Sequence, residues 1–191
     1  MTKGRLEAFS DGVIAILITI MVLELKVPHG ADWEALRPLW SVFSTYALSY
    51  VFLGIYWNNH HHMLHATGRI NGKILWANLH LLFWLSLVPF VTGWMGENHF
   101  AELPTAIYGS VLLASAIAYK LLQDQIVALE GPDSKLARAV GRDAKGLVSP
   151  VLYALAIPLA FVQRYVSLGL YIFVALMWLV PDRRIESHLE H

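Results

Sequence analysis

The sequence predicts an all-α, polytopic membrane protein, and three observations lead there. Of its 191 residues, 57% are hydrophobic and only 15% are charged, where soluble domains carry about 25% charged residues. Mean hydropathy is +0.52. Six apolar segments meet or approach the roughly 20 residues that a helix needs to cross a bilayer core: residues 6–27, 38–59, 72–94, 104–123, 146–163 and 165–181. No internal repeat or low-complexity tract divides the chain, so residues 1–191 read as one six-helix unit. It has no cysteine, which excludes disulfides, thiolate metal sites and cysteine nucleophiles. A net charge of +0 with no basic tail argues against a nucleic-acid partner.

The first segment opens on Arg5, Phe9, Ser10 and Asp11, runs apolar from Gly12 to Leu23, and closes at Glu24 and Lys26. It lacks a small-residue cleavage site, so it reads as a retained helix rather than a signal. At about 100° per residue, Gly12, Thr19, Ile20, Leu23 and Val27 all fall within about 60° of Ile16. Two readings of this stripe stand. It is a helix–helix seam, or it is the wall of a pore, where apolar rings stop ions by dewetting and a threonine hydroxyl gives a polar contact.

Asp11 lies about 140° from Ile16, so it cannot face a pore that the stripe lines. A carboxylate at membrane depth faces protein or a water-filled cavity. Its expected partners are polar groups at the same inner level: Asn58, His60, His61 and Asn78, with His80 one turn deeper. Asp11 is thus expected to clamp the first helix by hydrogen bonds and fix its rotation.

The second segment starts at Pro38 and runs into YWNNHHHMLH, residues 56–65. His61 and His65 stand four apart, a spacing zinc sites use. With no His-Glu-x-x-His pattern and no cysteine, the cluster reads as hydrogen-bonding imidazoles at the inner interface, and no metal or cofactor is expected. The third segment follows Gly72 and holds Pro89, a kink signal. The fourth follows Pro104 and repeats Ser110, Ala114 and Ala118, the small-residue spacing that lets membrane helices approach closely. Residues 124–145 are the one sizeable polar connection, open to partial helix. The fifth and sixth segments are separated only by Gln163 and Arg164, so a tight antiparallel hairpin is expected there. Pro150 and Pro158 fall inside the fifth.

With the amino terminus inside, the inner side receives Lys3, Arg5, Arg69, Lys73, Lys120, Lys135, Arg138, Arg142, Lys145, Arg183 and Arg184, and the outer side Lys26, Arg37 and Arg164. Eleven against three sets both termini in the cytoplasm. Trp33, Trp40 and Trp94 fall near the outer boundary, and Trp57, Trp76 and Trp178 near the inner one, as aromatic belts do. No P-loop, Gly-x-Ser-x-Gly elbow or Thr-Val-Gly-Tyr-Gly filter is present. No catalytic constellation emerges, so an enzyme is not expected, and no re-entrant filter loop is either.

Arg5-x-x-x-Phe9-Ser10-Asp11 at the head of the first helix resembles the signature of the transmembrane protein 175 family of potassium channels. DGVIAILITIMVLELKVP (11–28) and YWNNHH (56–61) continue the resemblance over the six-helix length. It implies potassium permeation without a filter loop and, for a single six-helix unit, a homotetramer in a prokaryotic inner membrane. It also implies a pore lined by the first helix. Residue by residue, the hydrophobic constriction falls at Ile16, Ile20 and Leu23, the selectivity layer at Thr19 with Gly12 also lining, and the helix-bracing motif at Arg5, Phe9, Ser10 and Asp11. Rival readings are a proton-coupled secondary transporter using Asp11 and the histidine cluster, and a metal-dependent hydrolase built on His60, His61 and His65.

Overall fold

The computed structural model describes residues 2–134, 136–137 and 144–179, which are helical with no strand among them. Lys135, Arg138, Arg142, Arg183 and Arg184 of the inner basic set, and residues 180–181 of the sixth segment, lie outside the described residues. Five stretches are long and apolar enough to cross a membrane: Lys3–Glu24, Trp33–His65, Gly72–Glu97, Glu102–Glu130 and Lys145–Leu179.

Helix α1 is Lys3–Ile20. It tightens into a 3-10 turn, Met21–Glu24, and Leu25 is already extended, three residues ahead of Pro28. The sequence reading carried one regular helix to residue 27. In the structure Val27 lies beyond the helix and shares no face with Ile16. Leu23 keeps its place for a different reason: a 3-10 turn closes in about three residues, which stacks Leu23 on Ile20.

Short helix α2, Trp33–Leu36, is capped by Asp32, whose side chain accepts from Ala35 N at 3.0 Å. After a 3-10 turn, α3 runs from Trp40 to His65 over 26 residues, about 39 Å at 1.5 Å per residue. That exceeds the hydrocarbon core by roughly 9 Å, so the histidine-rich turns continue the helix past the apolar segment. Asn71 caps α4, Gly72–Ser86, by accepting from Ile74 N at 3.0 Å. The chain then breaks at Leu87 and restarts as α5, Val88–Glu97, with Pro89 in its first turn, where the missing N–H costs no ladder bond.

Helix α6, Glu102–Glu130, takes seven residues of the expected polar connection and ends at Gly131, whose φ of 97° suits glycine. Glu130 Oε1 accepts from Gly68 N at 3.0 Å and Arg69 N at 2.9 Å, tying the α3–α4 loop to the end of α6. The small-residue stripe on α6 has Ser110 half-buried and Ala118 buried. The closest approach is instead at neighbouring Gly109, where an added Cβ would collide with the Tyr171 hydroxyl.

Helix α7, Ala144–Leu179, is not one rod. Gln163 has φ −152° and ψ 80°. Ser167 Oγ donates to Ala156 O at 2.8 Å and Trp178 Nε1 to Ser149 Oγ at 2.8 Å. A straight helix would hold residues 149 and 178 about 43 Å apart. The chain therefore reverses at Gln163, where the hairpin was expected, and its two arms pack against each other. Both arms also lean on α6, where Tyr171 OH donates to Thr105 O at 3.1 Å.

Candidate functional site

The site is α1 and what holds it. One face carries Leu6, Ser10, Ile14 and Leu17, all buried, with Met21 continuing the row in the 3-10 turn. Their spacing of four, four, three and four keeps them over one side of the helix, and that side packs on α3 and α4. In a bilayer, apolar contact between helices gains little over contact with lipid tails. The apolar row therefore gives shape, and polar pairing must decide the rotation.

That pairing is a buried chain of three side chains. Ser10, 0% exposed, donates from Oγ to Leu6 O at 2.9 Å and accepts from Asn78 Nδ2 at 2.9 Å. Asn78 Oδ1 in turn meets His60 Nε2 at 2.7 Å. A carbonyl oxygen can only accept, so Nε2 carries the hydrogen, and His60 Nδ1 is left buried without a partner. One bridge thus joins α1, α4 and α3. A register shift of α1 would take Ser10 Oγ away from Asn78 Nδ2 and strand a buried amide donor.

Asp11 is not part of it. It sits half-buried at the edge of the packed face and accepts from Trp57 Nε1 at 3.1 Å, an exposed bond. Of the partners expected for it, His60 and Asn78 belong to Ser10. Asn58 is exposed, His61 stacks between Trp57 and His65, and His80 accepts from Trp84 Nε1 at 3.0 Å. Trp57 was assigned to the aromatic belt, although an indole N–H beside a carboxylate at one membrane level is a usable signal. Ser10 was also legible, lying at the centre of the arc that Leu6, Ile14 and Leu17 define.

The histidines do not converge. His60 is buried toward Asn78, whereas His61 and His65 are exposed and stacked with ring centroids 6.1 Å apart. Among the described residues no group of three or more His, Asp or Glu side chains could hold a metal ion.

The other face of α1 is left largely open by the described residues. Ile16 is 59% exposed, Ile20 40%, Leu23 77% and Phe9 46%, with Gly12, Thr19 and Arg5 exposed beside them. Thr19 Oγ1 spends its hydrogen on its own helix, at 3.0 Å from both Ala15 O and Ile16 O. What it turns outward is oxygen lone pairs, the half of a hydroxyl that a cation can use. Arg5 and Phe9, expected as braces, lie on this open face rather than in the packed seam.

The far end of α1 is held more loosely. Lys26 Nζ donates to Glu97 Oε1 at 2.6 Å across an exposed gap. That hydrogen bond and the carboxylate charge hold the ammonium above its usual pKa of 10.5. Glu24 lies over Gly93 of α5, where an added Cβ would come within 3.0 Å of its Oε2.

Comparison with known proteins bears on this arrangement. Residues 5–89 match the family described as endosomal/lysosomal potassium channel TMEM175, a span that includes the Ser10 bridge. The chain is 54% identical over 190 residues to a potassium channel of Chryseobacterium sp. (strain P1-3), covering 100% of this chain and 99% of that one. It is 33% identical over 190 residues to a potassium channel of Streptomyces collinus, covering 92% and 91%. The crystal structure of a lysosomal potassium-selective channel TMEM175 homolog from Chamaesiphon minutus superposes with a TM-score of 0.82 at 29% identity, covering 93% of this chain and 96% of that one.

Proposed function

The chain belongs to the TMEM175 family, and from that premise we propose that it is a potassium-permeable cation channel that works as a homotetramer. Four first helices surround one axis, each turning its open stripe inward. Ile16, Ile20 and Leu23 form successive apolar rings that gate by dewetting. Thr19 places a layer of four oxygens between the first two rings, and Gly12 lines the wider approach. Six crossings per subunit, two of them from the arms of α7, put both termini on the cytoplasmic side of a prokaryotic inner membrane.

One observation carries this reading. The open face of α1, largely exposed among the described residues, has its direction fixed by a buried polar bridge on the opposite side. A helix facing only lipid tails needs no such fixing, since every apolar face serves a lipid equally. A pore-lining helix does need it, because the ring residues must stay aimed at the axis.

The test is ion flux from liposomes holding the purified protein, loaded with potassium or with sodium. Potassium efflux should exceed sodium efflux. Ile20→Asn should narrow the gap, because a polar ring keeps the constriction wet. Equal flux ratios in the parent and the variant would remove the gate from Ile20. Saturable flux that requires a proton gradient would replace the channel with a transporter.

A further inference from the structure

The open stripe does not begin at Gly12. Followed back along α1, Phe9 and Arg5 each lie within about 20° of Ile16 at 100° per residue. Both are exposed, Phe9 to the same degree as Ile20. Phe9 stacks on no other ring among the described residues. Arg5 makes no ion pair among them either, while nearby Lys3 donates to His65 O at 2.8 Å and lies 3.8 Å from Glu7. Two large side chains, one of them charged, are thus presented on the face that the constriction residues share.

We propose that Phe9 and Arg5 build the cytoplasmic mouth of the pore and set how easily cations enter from inside. This rests on the pore reading above. Phe9 sits about 10 Å from Ile16 along the axis, and Gly12, with no side chain, leaves a wider level between them. The mouth is then a ring of aromatic faces, a chamber, and the apolar constriction. Aromatic faces attract a cation where aliphatic groups do not. Arg5 lies about one turn farther out, where four guanidinium groups lower the local cation concentration. A positive charge at one entrance only makes conduction asymmetric: influx meets the Arg5 field only on exit, and efflux meets it on entry.

The absence of cysteine makes the test clean, since an introduced thiol is alone in the chain. Phe9→Cys, Arg5→Cys, Gly12→Cys and Trp76→Cys would each be reconstituted and treated with a cationic methanethiosulfonate reagent, with labelling read by mass spectrometry. Gly12 has open space around an added Cβ, and it reports on the pore itself. Trp76 is exposed on α4, away from the stripe. Labelling at Gly12, Phe9 and Arg5 should each cut potassium flux, by at least about tenfold at the narrower levels where a fixed positive charge opposes the ion. Labelling at Trp76 should leave flux unchanged.

Labelled Phe9→Cys and Arg5→Cys with unchanged flux, beside a blocked Gly12→Cys, would overturn the mouth and leave the pore standing. Unchanged flux at a labelled Gly12→Cys would overturn both. A second variant needs no labelling. Arg5→Gln should raise efflux relative to influx, and the difference should shrink at high salt, which screens an exposed charge. A ratio equal to the parent's at low salt would remove the charge from the entrance.

Discussion

The two ends of the first helix are held by different physics. At the amino-terminal end, Ser10, Asn78 and His60 form a bridge closed off from solvent. At the carboxy-terminal end, the helix loosens into a 3-10 turn, and what ties it down is an exposed Lys26–Glu97 pair and a Glu24 side chain resting over Gly93. Breaking the first strands buried polar groups, which costs about 1–3 kcal/mol for each group left unpaired. Breaking the second hands both charges back to water. The amino-terminal end is therefore the fixed point that sets rotation. The carboxy-terminal end, with Ile20 and Leu23, is held more loosely, and on the proposed pore reading a gate that opens by small displacement belongs there.

The comparison can be broken most directly at Asn78. Asn78→Ala leaves the His60 Nε2 hydrogen buried with no acceptor and takes away the hydrogen bond to Ser10. It should lower thermal stability by about 2 kcal/mol. A melting curve followed by size-exclusion chromatography checks this, and an unshifted midpoint would mean that the bridge fixes nothing. Asp11→Ala removes one exposed bond to Trp57 and should cost less, about 1 kcal/mol or under. The same assay ranks the two, and a larger loss at Asp11 would return the clamp to the carboxylate. Gly93→Ala should change stability by no more than about 0.5 kcal/mol, because only the far end of the Glu24 side chain must give way and alanine is the better helix former. A severe loss there would show the carboxy-terminal end to be as rigid as the amino-terminal one. Smallest is Lys26→Gln, which should leave the midpoint unmoved at high salt. In the parent, the folded pKa of Lys26 is raised, so its contribution is complete below the ordinary lysine value of 10.5 and fades only as pH climbs above it. Any dependence that tracks Lys26 near neutral pH would contradict the pairing.

Much of this could be read from the chain because membrane helices are constrained by length and by backbone hydrogen bonding. The apolar segments, the break near Pro89 and the reversal at Gln163 all follow from composition and punctuation. Helix ends were less legible. The final turns of α3 are polar, and α6 passes through Gln123, Asp124 and Gln125 before its last turn, so the apolar run stops before the helix does. The open stripe followed from periodicity alone as far as Ile20, and failed at Val27 because the helix changed its pitch on the way. The bridge was half visible. His60 and Asn78 were identified as polar partners for α1, but charge drew attention to Asp11, while the uncharged Ser10 took the buried position. Burial favours the group that costs least to dehydrate, and sequence position does not rank that cost.

The reversal at Gln163 carries a consequence for how the protein can be assembled. The link between the arms of α7 is short and exposed, whereas the arms themselves are joined by Ser167 to Ala156, Trp178 to Ser149, and the rings of Tyr153 and Tyr171. The covalent connection there adds little that these side chains do not already specify. A gene cut between codons 163 and 164 therefore encodes two fragments that should find each other when made in the same cell, with the smaller acting as a detachable piece through which the larger can be captured, labelled or exchanged.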